Sequence, residues 1–283
     1  MDKVRQALDR AREERAAVIA LGAQGVLVTD EPAVLRDRID EAELSPPSSA
    51  LARAFAVGAE LLERNRVLPA DDRSDAAQAF RMLRTQVLQR MREHGWRTLG
   101  IVSARSLDGK TTVAANLAVA ISADPRHTAI LVDLDLHRPA VARLFGAPGA
   151  DGIDEVLHER ATLDSVMLRP TGLDRLRLLP AQDAGQRAMS GLVARPSCEA
   201  LLAELKGRYT NRIIVVDMPP ILDNDDALTL APLCDCLLFV VSEGKTARAD
   251  VSRALTLLRA IPVLGTVLNN CSTPTPNKTA SYG

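Results

Sequence analysis

Three stretches of this chain are too apolar to be half-solvated strands and too short to be helices of their own. They are Leu99-Gly-Ile-Val-Ser103, Ala129-Ile-Leu-Val132 and Ile213-Ile-Val-Val216. Each runs directly into charged or turn-forming residues. Runs of this kind recur near 98–103, 128–133, 175–179, 212–217, 236–242 and 263–269, with helical stretches near 110–123, 187–206 and 246–260. Near-continuous aliphatic strands separated by helices specify an α/β fold, a mostly parallel sheet covered by helices on both faces. Sheets of this type bind ligands beyond the carboxyl ends of their strands. The charged residues fall there.

The first run leads into Ala104-Arg-Ser-Leu-Asp-Gly109-Lys110-Thr111, and the helical run Thr112-Val-Ala-Ala-Asn-Leu-Ala118 follows. This is the P-loop pattern, with Ala104 where the opening glycine stands. Backbone N–H groups from Ala104 through Asp108 and Gly109 to Thr112 face phosphates, and the helix dipole adds to their attraction. Gly109 permits close approach of the backbone. Lys110 reaches the β- and γ-phosphates, and Thr111 holds magnesium through its hydroxyl. The third run ends in Asp217-Met-Pro-Pro220, a carboxylate able to orient the metal. The second ends in Asp133-Leu-Asp135, two acids on one face of a strand that repel unless a cation lies near them. Together these predict a nucleotide site for ATP or GTP with Mg2+. The acidic pair separates the chain from a typical P-loop GTPase.

The remaining composition narrows the class further. A net charge of −1 argues against a whole-protein nucleic-acid surface. With aromatic content of 2%, the core must be aliphatic. Cys198, Cys234, Cys236 and Cys271 lack zinc-knuckle spacing and read as buried, reduced thiols. The charged N-terminus and the lack of any long uncharged apolar window predict a cytoplasmic protein, linked to the membrane only through a partner. Three parts are expected: a helical arm and linker over 1–72, the nucleotide domain over 73–271, and a polar tail over 272–283. In the arm, Ala50 to Arg64 reads as a helix. Ser74 is the expected N-cap of a helix carrying Ala77, Phe80, Leu83, Val87 and Met91.

From Gln78 to Asn270 these residues resemble the bacterial tyrosine autokinases of capsular and exopolysaccharide synthesis, within the MinD- and ParA-like ATPases. The resemblance rests on Asp133-x-Asp135, Asp217-x-Pro-Pro220, Asp226-Ala227, Gly244-Lys-Thr246 and Val267-Leu-Asn269. It implies transfer of the ATP γ-phosphoryl group to tail tyrosines and work beside a membrane polysaccharide co-polymerase, often as a homo-oligomer. By this resemblance Lys110, Asp133, Asp135 and Asp217 form the catalytic set. Thr111, Asp135 and Asp217 hold magnesium, Asp133 accepts the phenolic proton, and Asn269 contacts the base. Tyr282 is the tail tyrosine and Tyr209 is structural. Four departures stand out. Leu107 occupies a loop position at which φ > 0 is costly for it. His137 replaces an arginine. Gln78 replaces a glutamate before Arg81 and Arg84 in the oligomerisation motif, and the tail holds one tyrosine. Two alternatives remain beside the autokinase: an ATP-binding regulator without kinase activity, and a ParA- or MinD-like positioning ATPase in which Arg105 stands for a second loop lysine.

Overall fold

The computed structural model describes residues 52–149, 151–182, 196–208 and 212–271. The expected opening helix, Tyr209 and the tail with Tyr282 lie outside these residues. Among the described residues, eight strands form one sheet in the order β1-β4-β5-β3-β6-β2-β7-β8. They are β1 (Arg53–Phe55), β2 (Thr98–Ser103), β3 (Thr128–Asp133), β4 (Leu168–Pro170), β5 (Leu176–Leu179), β6 (Arg212–Asp217), β7 (Cys236–Ser242) and β8 (Val263–Asn269). All neighbours pair parallel except β4 and β5. The order crosses over between β3, β6, β2 and β7, so the carboxyl ends of the central strands converge.

Alternation within each strand divides the core in two. Val102, Ile130, Val132, Ile214, Val216, Leu237 and Phe239 face one layer. Leu99, Ile101, Ala129, Leu131, Ile213, Val215, Leu238 and Val240 face the other. With both faces covered, the interior positions of the central strands are apolar and polar residues stand only at the strand ends, which is why these runs carry no period-two pattern. The second layer holds α2 (Asp75–Glu93) and α3 (Lys110–Ser122). Ser74 caps α2 as expected, its Oγ accepting from the Ala77 N–H at 3.2 Å. α3 is buried on nearly every side. Its alanines leave room for close approach to the sheet, so it has no polar stripe.

The amino-terminal side departs from expectation. Instead of one helix over Ala50 to Arg64, the chain forms β1 and the short α1 (Ala59–Arg64). β1 pairs with β4, and Val67 is in the core. Burying Phe55 and Val67 against the sheet outweighs the helix propensity of Ala-Glu-Leu-Leu-Glu-Arg over the longer span. Residues 53–72 are thus built onto the sheet. Three further short helices were not read from the sequence: α4 (Val141–Phe145), α5 (Ile153–Leu157) and α6 (Leu163–Val166). A fourth, α8 (Asp226–Leu230), starts in the acidic run Asp223-Asn-Asp225-Asp226, which reads as a helix N-terminus with acids on the positive end of the dipole. The longer helices α7 (Pro196–Arg208) and α9 (Arg248–Leu257) lie within the expected stretches, apart from the last two residues of α7. Arg81 and Arg84 donate to backbone carbonyls of this chain, Asp72 at 2.6 Å and Ala120 at 3.3 Å.

Candidate nucleotide site

The loop from β2 to α3 carries its strain at two adjacent turns. Gly109, the N-cap of α3, has φ 88°, and Leu107 has φ 68°. Leucine in the left-handed region costs about 1–2 kcal/mol. The loop nevertheless takes that conformation and turns the Leu107 side chain to solvent, 83% exposed. A network holds it there. The Asp108 carboxylate accepts from the Arg105 N–H at 3.2 Å and from Thr246 Oγ1 at 2.8 Å. Ser106 donates from its N–H and its hydroxyl to Asp223 Oδ2 at 3.1 and 2.6 Å. Arg105 bridges Asp223 and Asp250. Burial pushes the Asp223 carboxyl up, but the bonds from Ser106 and Arg105 outweigh it and hold the group below the usual carboxylate range. Ala104 is buried in the core, where a glycine's freedom is not used.

Asn269 ends β8, and its Nδ2 donates to the Asp108 carbonyl at 3.0 Å. A Cβ on Gly109 would come 2.0 Å from that nitrogen. Gly109 is therefore required twice, by its φ and by Asn269. The sequence reading gave Asn269 to the nucleotide base; here its amide nitrogen braces the loop.

Lys110 is buried at the first position of α3, and its Nζ lies 2.7 Å from Asp135 Oδ2. Burial alone would lower its pKa; Asp217, Asp135 and Asp133 reverse this and hold the ammonium above its ordinary value. Asp133 and Asp217 are register partners across β3 and β6. Asp133 is wholly buried. Its Oδ2 accepts from the N–H groups of Ala140 and Val141 at 2.9 and 3.0 Å, and its Oδ1 from the Asp135 N–H at 3.2 Å. Burial, then the charge of Asp217, pushes the Asp133 carboxyl well above the carboxylate range despite those donors.

Asp217 is different. It too is fully buried, yet neither carboxylate oxygen meets a partner at hydrogen-bonding geometry. Burial raises it to about 7, while Lys110 and the nearby Thr111 hydroxyl pull it down. With only the Lys110 charge and the Thr111 hydroxyl near it, so deeply buried a carboxylate is costly unless a further cation completes it. Magnesium is typically held by one or two carboxylates plus substrate phosphates, with no closed protein cage. Asp217 with the Thr111 hydroxyl fits that requirement. The Lys110 ammonium and the α3 N-terminus supply the charge a triphosphate needs.

The sequence thus names Lys110, Thr111, Asp133, Asp135 and Asp217, and the fold gathers them at three strand ends. It missed Asp223, Asp250 and Thr246 as loop supports. Only the Gly-Lys-Thr triplet around Thr246 gave a sequence signal. His137, in the arginine position, lies 2.7 Å from Asp226 Oδ2, and Asp225 and Asp226 open α8 as the acidic run suggested. Cys198, Cys234 and Cys236 are buried, and burial raises the first thiol to about 11 and the other two to about 12; Cys271, just past β8, is exposed, against expectation. Among the described residues, no three His, Cys, Asp or Glu side chains form a cluster suited to a metal ion. Nor is any helix among them long and apolar enough to cross a membrane.

Comparison with known proteins agrees with this geometry. The tyrosine-protein kinase YwqD of Bacillus subtilis is 25% identical over 224 residues, covering 78% of this chain and 92% of that protein. The succinoglycan biosynthesis transport protein ExoP of Rhizobium meliloti is 29% identical over 215 residues, covering 72% of this chain but only 26% of that one. The crystal structure of the VpsO kinase domain superposes with TM-score 0.61 at 26% identity, covering 70% of this chain and 96% of that domain. The profile of the ParA family, described as NUBPL iron-transfer P-loop NTPase, matches residues 96–282. Because that profile covers well over half of the sequence, the chain belongs to the ParA family of P-loop NTPases.

Proposed function

We propose that this chain is an ATP-dependent protein-tyrosine kinase of bacterial exopolysaccharide synthesis, and that it phosphorylates its own tail at Tyr282. The observation that carries the reading is Asp217: a buried, unpartnered carboxylate beside Thr111, at the mouth of a phosphate loop. Further support comes from the kinases among its relatives and from the acidic pair at the end of β3, Asp133 as its last residue and Asp135 just beyond it. Asp133–Asp135 sets this site apart from one with a single strand-end acid.

In this reading Thr111 and Asp217 would hold magnesium, with Asp135 joining them once the phosphates draw Lys110 away. The metal supplies charge neutralisation of the β- and γ-phosphates. Lys110 and the α3 N–H groups orient the γ-phosphoryl. The tyrosine oxygen forms the new P–O bond as the bond to the β-phosphate oxygen breaks, and ADP leaves with the electron pair. A loose transition state releases the phenolic proton late, to an oxygen of the transferred phosphoryl group or to solvent, and needs no strong base. The sequence reading assigned that proton to Asp133. Its burial and three backbone donors instead suit a positioning role, fixing the turn that carries Asp135. ExoP, of which this chain matches about a quarter, supports the further proposal that a separate membrane co-polymerase is its partner on the cytoplasmic side. A homo-oligomer built on α2 belongs to the same proposal.

The test is incubation of the full chain with γ-labelled ATP and magnesium, beside Lys110→Met and Tyr282→Phe. Label on the wild type that is lost in both variants supports the kinase and its acceptor. An unlabelled wild type that still binds nucleotide refutes the kinase and favours an ATP-sensing regulator.

A further inference from the structure

The segment that follows Asp217 is tied on two sides. Asp223 accepts from the N–H and the hydroxyl of Ser106, which fastens the segment to the phosphate loop. Three residues on, Asp226 opens α8, and its Oδ2 lies 2.7 Å from Nε2 of His137. A carboxylate only accepts, so this nitrogen donates. His137 belongs to the turn that carries Asp135. The Arg138 N–H donates to the Asp135 carbonyl at 2.9 Å, which closes the turn over Leu136 and His137. The imidazole thus crosses from the turn after β3 to the start of α8, 89 positions away in sequence.

Both ends of this strut are rooted. Leu136, next to His137, and Ala227, next to Asp226, are buried in the same core layer, together with Leu134, Ile221 and Leu230. The side chains of His137 and Asp226 are 29% and 15% exposed, so water competes only in part for the bond. Closer to the sheet the two loops are already joined, the Leu134 N–H donating to the Asp217 carbonyl at 2.9 Å. One bond would leave a hinge; a second, farther out, fixes the angle between the loops. That angle sets how Asp135 stands toward Asp217. Lys110 holds the Asp135 carboxylate at 2.7 Å. Once that lysine turns to a phosphate, the aim of the carboxylate is left to its backbone turn.

We propose that His137 is a positioning residue for the metal: its bond to Asp226 fixes the turn that aims Asp135 at the ion held by Thr111 and Asp217. This rests on the magnesium–nucleotide reading above and adds to it a residue that touches neither metal nor substrate. An imidazole suits the task because two torsions place it, whereas a long side chain loses more rotamer freedom when pinned.

The experiment is calorimetric titration of the full chain with ADP at a series of magnesium concentrations and, separately, with pyrophosphate in EDTA. His137→Ala should cut the gain in ADP affinity on adding magnesium by about fivefold to tenfold and leave pyrophosphate binding in EDTA no weaker than in the wild type. A turn that merely came apart would weaken both. Asp226→Ala should match it, and the double variant should lose no more than either one, because the two substitutions remove a single bond. Asp226→Asn keeps an oxygen that accepts from Nε2 and should stay within about threefold of the wild type. Equal losses with and without magnesium, an undiminished magnesium gain in His137→Ala, or additive losses in the double variant overturn the proposal. A wild type whose ADP affinity magnesium does not raise overturns the metal reading beneath it.

Discussion

Lys110 Nζ and Asp135 Oδ2 are 2.7 Å apart, and both side chains are almost wholly buried. The residue expected to grip phosphate is thus held by a residue expected to help hold the metal. On the proposed nucleotide reading, phosphate would have to take the lysine from the carboxylate, which would free the carboxylate for magnesium. The two ligands would then be coupled through this one ion pair.

Asp135→Asn separates these effects. With its tether weakened, Lys110 should bind pyrophosphate in EDTA a few-fold more tightly than in the wild type, while the gain in affinity on adding magnesium shrinks at least tenfold. Titrations with and without magnesium read both. Equal losses in the two conditions would show that the pair serves the fold alone.

Asp217→Asn should abolish magnesium-dependent nucleotide binding and make the protein more stable. The wild-type carboxyl sits at about 7 when folded against an ordinary 3.8. The folded state therefore holds more protons between those values, and wild-type stability falls as pH rises through that window. The advantage of the amide should be small near pH 4, grow toward pH 7 and level off above it, at about 1–3 kcal/mol. Urea denaturation at several pH values measures it; an amide variant less stable at pH 8 would contradict the unpartnered state of Asp217.

Gly109→Ala meets two obstacles, the positive φ and the Asn269 amide. A loss of about 2–4 kcal/mol is expected, with nucleotide binding abolished. Adding Asn269→Ala removes only the steric obstacle, so the double variant should regain part of the stability. Non-additivity in thermal unfolding is the readout.

Asp124 works in the opposite sense to Asp217. Hydrogen bonds from the Arg126 side chain and backbone outweigh its burial and hold its carboxyl far below the usual range. Its contribution is complete above the ordinary carboxylate pKa and is lost as pH falls toward the folded value. Asp124→Asn should cost about 1 kcal/mol at pH 7, with the cost diminishing in acid. A cost independent of pH would assign the effect to packing.

The residues gathered at the candidate site were legible because their pattern is local. A phosphate loop, Asp-x-Asp and Asp-x-Pro-Pro each occupy a few consecutive residues at the end of an aliphatic run. β1 was not legible, since three residues pairing with β4 carry no periodicity, and the pairing is decided by what Phe55 buries. The supports of the loop were hidden for another reason. Asp223, Asp250 and Asn269 lie more than a hundred positions from their partners, and nothing in the spacing of an acid reveals which N–H it will accept. Asn116 did carry a signal: a lone amide in an otherwise apolar helix must find partners when buried, and it bonds the Leu68 N–H and the Arg66 and Thr112 carbonyls.

The brace at Asn269 also fixes where the tail is anchored. The chain from Asn270 to Tyr282 can extend at most about 45 Å, and it departs from the residue that steadies Gly109. On the kinase proposal, Tyr282 is thereby tethered within that distance of the strand end that braces the phosphate loop. Tether length would then set the tyrosine's local concentration at a site, so removing residues between Asn270 and Tyr282 should lower labelling within one chain before labelling between chains.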